Sequence, residues 1–129
     1  MPRDEQASSI RVIIVDDDAR VRNALRTFLG SHPRIEVVAE AGHAVDALAH
    51  AREHAPDIAL VDVYLPIKED GLRLLRALSD ELGILAIAIS IEPGAREAAL
   101  SAGATLFLEK ARVPDELLPT LERCGADLR

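Results

Sequence analysis

Residues 58–61 read Ile-Ala-Leu-Val with no polar side chain among them, and the run ends on a carboxylate, Asp62. An apolar run of strand length that does not alternate with polar residues is buried on both faces, as in a parallel sheet covered by helices. An acid closing such a strand lies on the carboxyl edge of the sheet, where open α/β sheets bind their ligands. Pro66 then stiffens the loop that follows. The Asp57–Pro66 stretch sets the terms for the rest of the chain.

The same design recurs. Ile10–Val15, Ile35–Ala41, Ile84–Ile89 and Thr105–Glu109 read as further strands. Helical patterns separate them. Asp18 is placed to cap the first, whose stripe is Val21, Leu25, Phe28 and Leu29, and Gly30 to Pro33 stops it. Ala44–His54 presents Ala44, Leu48 and Ala51 on one face and stops before Pro56. After a loop over Val63–Asp70, Gly71–Leu82 buries Leu74, Leu75, Leu78 and Leu82, and Gly83 ends it. Pro93 opens a fourth helix with a narrow face of Ala95, Ala98, Ala99 and Ala102, ended by Gly103. Pro114–Arg123 turns Leu117, Leu118 and Leu121 inward.

Strands alternating with helices predict a parallel sheet with right-handed crossovers and helices on both sides. The expected fold is α/β: a doubly wound, three-layer α/β/α sandwich with a five-stranded parallel sheet. Periodicity leaves the strand order open. Met1–Ser9 reads as a flexible leader and residues 10–129 as one domain.

The net charge of −7 counts against nucleic-acid binding by this domain, which needs basic clusters. Cys124 is the single cysteine, so no internal disulfide can form and a reducing, cytoplasmic setting is expected. It reads as a packing residue. No apolar run reaches membrane-spanning length, so no membrane association is expected. The three aromatics, Phe28, Tyr64 and Phe107, are too few for a base- or flavin-stacking platform. His32, His43, His50 and His54 are read as surface residues without a metal-ligand constellation.

The strand ends carry the chemistry. The first strand delivers Asp16 and Asp17, the third Asp62, the fourth Ser90 and the fifth Lys110. The second delivers nothing comparable, which suits an edge strand away from the site. Carboxylates gathered on one edge repel and need a cation to remain ionised. An all-oxygen donor set with few carboxylates describes Mg²⁺ or Mn²⁺ rather than zinc. A carboxylate beside such an ion can attack a phosphoryl group, with Lys110 and the Ser90 hydroxyl offsetting charge on the transferring oxygens.

These residues resemble those of the receiver (phosphoacceptor) domain of bacterial two-component response regulators, over roughly Ile10 to Arg123. The matching motifs are Val15-Asp16-Asp17, Leu60-Val61-Asp62 with Leu65-Pro66, and Asp70-Gly71. They continue with Ser90, Ala102-Gly103-Ala104 and Phe107-Leu108-Glu109-Lys110. The resemblance, rather than the pattern, implies strand order 2-1-3-4-5, the flavodoxin-like (CheY-like) arrangement. It implies that Asp62 accepts phosphate from a sensor histidine kinase or phosphotransfer protein. Asp16, Asp17, Asp62 and the Tyr64 backbone carbonyl would hold Mg²⁺. Ser90 and Lys110 would contact the phosphoryl oxygens, and Phe107 would change position as Ser90 moves. A downstream target would read the face of helix four, strand five and helix five. A homodimer through the last helix or the helix-four face fits the same picture. Lys110 to Leu118 is similar to the NarL/LuxR-type branch, and the chain reads as a stand-alone regulator.

Three departures qualify that expectation. Four residues separate Pro66 from Gly71 where the family generally has three, predicting a bulged loop beside the site. Ile91 follows Ser90 where a small residue is usual, and narrows donor access. Tyr64 and Glu92 occupy positions linked to dephosphorylation rate. Slow or selective phosphoryl exchange is therefore expected. Two other functions remain open at this point. One is a degenerate receiver that binds partners without phosphorylation. The other is a Mg²⁺-dependent phosphohydrolase, disfavoured because Tyr64 stands where its second acid would be.

Overall fold

The computed structural model describes residues 9–127, so the expected leader lies outside the described residues except for Ser9. Five strands alternate with five helices: β1 (Ile10–Val15), α1 (Ala19–Gly30), β2 (Ile35–Ala41), α2 (Ala44–His54), β3 (Ile58–Asp62), α3 (Lys68–Arg76), β4 (Leu85–Ser90), α4 (Arg96–Ser101), β5 (Leu106–Glu109) and α5 (Val113–Asp127). A π-helical turn, Ala77–Glu81, extends α3, and single 3₁₀ turns at Pro93–Ala95 and Lys110–Arg112 lead into α4 and α5. The sheet is wholly parallel with order β2-β1-β3-β4-β5.

The apolar strands divide their residues between two cores. Ile10, Val12, Ile14, Ile58, Leu60, Ile87 and Ile89 face Leu29 of α1 with Leu117 and Leu121 of α5. Ile13, Val15, Ala59, Val61, Ala86 and Ala88 face α2, α3 and α4 through Ala47, Ala51, Leu74, Leu75, Leu78 and Ala99. Bulky branched side chains fill the side covered by two helices. Alanines from β3 and β4 let three helices sit close on the other. Full burial of each Ile or Leu contributes about 1.5–3 kcal/mol, which explains why no strand residue in β3 can be polar before Asp62.

Two boundaries differ from expectation by more than one residue. The helix predicted from Gly71 starts at Lys68, so the bulge predicted over residues 67–70 is absent and the extra residue joins the first turn of α3. The Ile67 carbonyl accepts from the N–H groups of Asp70 and Gly71, and nothing between them breaks a helix. Glu69 and Asp70 complement the positive end of the helix dipole there. The last helix runs past Arg123 to Asp127, with Pro119 inside it at an exposed position. Capping follows the sequence: the Asp18 carboxylate accepts from Arg20 N–H at 2.9 Å.

Candidate functional site

Because the strands are parallel, Asp16 and Asp17 beyond β1, Asp62 on β3, Ser90 on β4 and Lys110 beyond β5 all reach the carboxyl edge. One carboxylate oxygen from each of Asp16, Asp17 and Asp62 lies within 4.8 Å of the others. Asp16 is buried, at 3% exposure, although Asp17 is exposed and Asp62 half-buried. Asp16 Oδ1 accepts from Asp18 N–H at 2.9 Å, and its Oδ2 lies 3.6 Å from Lys110 Nζ. Asp62 Oδ1 accepts from Tyr64 N–H at 3.1 Å. That bond orients the carboxylate and leaves Oδ2 unencumbered by it.

Burial raises the pKa of Asp62 to about 6, and the charges of Asp16 and Asp17 add to the rise. The Lys110 ammonium and the Tyr64 N–H oppose it. The like charges of Asp16 and Asp17 beside this buried acid favour a compensating cation. Three carboxylates on one spot, with no nitrogen or sulfur ligand among them, fit a hard divalent ion, Mg²⁺ or Mn²⁺.

Asp62, Tyr64, Ile91, Glu92 and Lys110 line a pocket of about 180 Å³ over the acid. Ile91 stands at its rim, 76% exposed. Across the pocket, the Tyr64 hydroxyl donates to Glu92 Oε1 at 2.7 Å. Ser90 is buried at 1% exposure, and its Oγ accepts from Glu92 N–H at 3.0 Å. Accepting this bond leaves the hydroxyl hydrogen available as a donor. Phe107 is buried in the core beneath α2, α3 and α4, paired in register with Ala88 of β4. A larger groove of about 580 Å³ adjoins the site between α1 and α5, lined by Val21, Leu25, Phe28, Val113 and Pro114 and reaching Asp62.

Sequence reasoning did not anticipate the support behind Asp16. Arg22 Nη1 donates to the Asp16 carbonyl at 2.6 Å, and Arg22 Nε lies 3.4 Å from Glu40 Oε1. Arg26 pairs with the same carboxylate. A Cβ at position 42 would come within 3.1 Å of Arg22 Nη1, so Gly42 leaves the guanidinium its path. Strand β2 therefore does serve the site, at one remove. The visible signal was a glycine directly after a strand end. The Tyr64–Glu92 contact, between residues 28 apart in sequence, had no local signal.

The family model for the response regulator receiver domain matches residues 12–122. A protein-glutamate methylesterase/protein-glutamine glutaminase of Halalkalibacterium halodurans is 37% identical over 114 residues, covering 85% of this chain and 33% of that protein. The transcriptional regulatory protein UhpA of Escherichia coli is 35% identical over 109 residues, covering 84% of this chain and 55% of its own length. Among solved structures, the signal receiver domain of the response regulator NarL from Mycobacterium tuberculosis superposes with a TM-score of 0.81 at 31% identity, over 92% of this chain and 97% of that one. The chain thus spans about a third to about half of the curated relatives it matches. With its sheet order, its gathered strand-end acids and these matches, the chain belongs to the response regulator receiver domain family of two-component signalling.

Proposed function

We propose that Asp62 is the phosphoacceptor and that its phosphorylation switches the binding of a downstream partner. The observation that carries this reading is the meeting of Asp62 with Asp16 and Asp17 within 4.8 Å, beside a lysine already held on Asp16. Asp62 Oδ2 attacks the phosphorus of a phosphohistidine on a sensor kinase or phosphotransfer protein. A P–O bond forms, the P–N bond breaks, and the histidine nitrogen leaves with the electron pair and is protonated. Asp16, Asp17, Asp62 and the Tyr64 carbonyl would hold Mg²⁺, which when bound neutralises the acids and draws charge from the transferring oxygens. Tyr64 N–H keeps the nucleophile oriented. Lys110 is close enough to exchange Asp16 for the new phosphoryl oxygens, and the Ser90 hydroxyl supplies a second donor.

The added phosphoryl group brings about −1.5 to −2 charge to this edge. Lys110 and Ser90 are drawn to it, Phe107 repacks behind Ser90, and the face of α4, β5 and α5 changes its affinity for a target. We read the chain as one domain from residue 10 onward, working in the cytoplasm as a switch rather than an enzyme. The match to the methylesterase spans a third of that protein. No described helix is long and apolar enough to cross a membrane.

The test is incubation with Mg²⁺ and acetyl phosphate, followed by intact mass measurement. Wild type should gain the mass of one phosphoryl group and Asp62→Ala none. A gain that persists in Asp62→Ala, or none in either, would overturn the assignment.

A further inference from the structure

The last turn and a half of α2 reads His50-Ala51-Arg52-Glu53-His54. At helical spacing, positions 50, 53 and 54 share one side. One ligand atom from each of the three side chains lies within 4.8 Å of the others, contrary to the expectation of no such constellation among the histidines. The two imidazole rings are 5.8 Å apart between centroids and inclined by 35°. His50 Nδ1 is shut off from solvent and has no hydrogen-bond partner. It is the single buried side-chain nitrogen or oxygen among the described residues in that condition. A buried ring nitrogen without donor or acceptor marks a missing partner.

The backbone under this cluster is well fixed. Ala55 adopts a left-handed conformation, φ 46°, and its N–H closes the helix on the Ala51 carbonyl. Arg11 Nη1 donates to the carbonyls of His54 at 2.6 Å and Ala55 at 3.0 Å. Asp57 in turn accepts from Arg11 N–H at 2.9 Å. Arg11 and Arg52 bring positive charge to this corner and Asp57, Glu53 and Glu81 bring negative charge, Glu81 being paired with Arg52, and the carboxyl end of a helix favours a cation. Since α2 runs back from the end of β2 to the start of β3, the cluster lies at the opposite edge of the sheet from Asp62.

We propose that His50, Glu53 and His54 form a second metal site, selective for a borderline divalent ion of the zinc class. Two imidazoles and one carboxylate, with water completing the shell, suit Zn²⁺ and leave a coordination position open. The acid cluster at Asp62 offers oxygen alone and suits Mg²⁺. The chain therefore carries two sites that differ in place and in ligand chemistry, and this one does not depend on Asp62 being phosphorylated. Zinc here ties the end of α2 to itself above the Arg11 anchor and stabilises the folded state by mass action.

The test is Zn²⁺ titration of the full chain by calorimetry in the presence of excess Mg²⁺, with thermal unfolding alongside. Wild type takes up one Zn²⁺ in the micromolar range and its Tm rises. His54→Ala weakens uptake by about tenfold or more and abolishes the Tm rise, and Glu53→Gln weakens uptake less. Asp16→Asn, which disables the acid cluster, leaves uptake unchanged. Co²⁺ used as a probe gives visible ligand-field bands that are lost in His54→Ala, and circular dichroism establishes that each variant is folded. The proposal is overturned by no micromolar uptake, by uptake that survives His54→Ala, or by uptake that Mg²⁺ or Asp16→Asn removes.

Discussion

Lys110 Nζ stands 3.6 Å from Asp16 Oδ2, so the ammonium delivered by β5 is held by the acid delivered by β1 while it also lowers the pKa of Asp62. One cation thus serves two acids. Lys110→Met should push the Asp62 pKa further above about 6, which a ¹³C carboxyl titration would read directly. It should also slow labelling by acetyl phosphate by about 100-fold, the scale for losing one charge-stabilising donor. An unmoved Asp62 titration would mean that solvent already screens the lysine from it.

Asp62 also gives the fold a pH dependence of definite sign. Its pKa is about 6 in the folded chain against an ordinary 3.8, chiefly through burial and then through Asp16. Between those values the folded state binds more protons than the unfolded state, so this group's contribution to stability falls as pH rises through the window. Asp62→Asn should remove that slope. At pH near 7 it should stabilise the metal-free protein by on the order of 1 kcal/mol, or a Tm rise of a few degrees. Millimolar Mg²⁺ should raise the wild-type Tm and leave the variant nearly unchanged. Urea unfolding of both proteins across the acid range isolates the effect, since all other carboxylates are shared.

The Tyr64–Glu92 hydrogen bond closes over the acceptor pocket and sets a carboxylate at its mouth. An anionic phosphodonor must approach past that charge. Glu92→Ala should speed labelling of Asp62 by acetyl phosphate by about 3- to 10-fold at low salt, with the gain shrinking as salt rises. The Tyr64 pKa, raised principally by its bond to Glu92, should fall back in the same variant. Tyr64→Phe keeps the Glu92 charge and should recover less of the rate. Equal rates for all three proteins would show that the bridge does not limit entry.

Most of the fold could be read from the chain because β3 and β4 are apolar up to their last residue, β1, β2 and β5 are largely so, and each helix shows its stripe. The strand ends then named Asp16, Asp17, Asp62, Ser90 and Lys110 as neighbours, since parallel strands must bring their carboxyl ends to one edge. What escaped notice depends on contacts between distant segments. Arg22 reaches Asp16 past Gly42, where a side chain would crowd its guanidinium, and Tyr64 meets Glu92 because β3 and β4 are adjacent. The start of α3 at Lys68 instead of Gly71 has a local reason. Gly71 looked like the first helical residue, yet it is required inside the first turn by packing rather than by chain reversal. The histidines read as solvated surface residues because such residues are common on helices, yet the spacing of His50, Glu53 and His54 on one turn brings a ligand atom of each within 4.8 Å of the others.

Gly71 is pinned against the backbone that follows Asp62. A Cβ built on it would lie 1.8 Å from the Val63 carbonyl oxygen and 2.5 Å from the carbonyl carbon, both backbone atoms of the segment that follows Asp62. Neither can swing away as a side chain would, so α3 or the segment beyond β3 must shift. Gly71→Ala should cost about 3 kcal/mol, lowering Tm by roughly 10 °C. Because the displaced backbone neighbours Asp62, labelling at temperatures where the variant remains folded should slow as well. Gly30, the last residue of α1, supplies the control: a Cβ there meets nothing within 4 Å. Gly30→Ala should stabilise by about 0.5 kcal/mol through reduced freedom of the unfolded chain. Thermal unfolding of the two variants should therefore move in opposite directions, and equal small losses would show that the first turn of α3 yields more readily than its contacts imply.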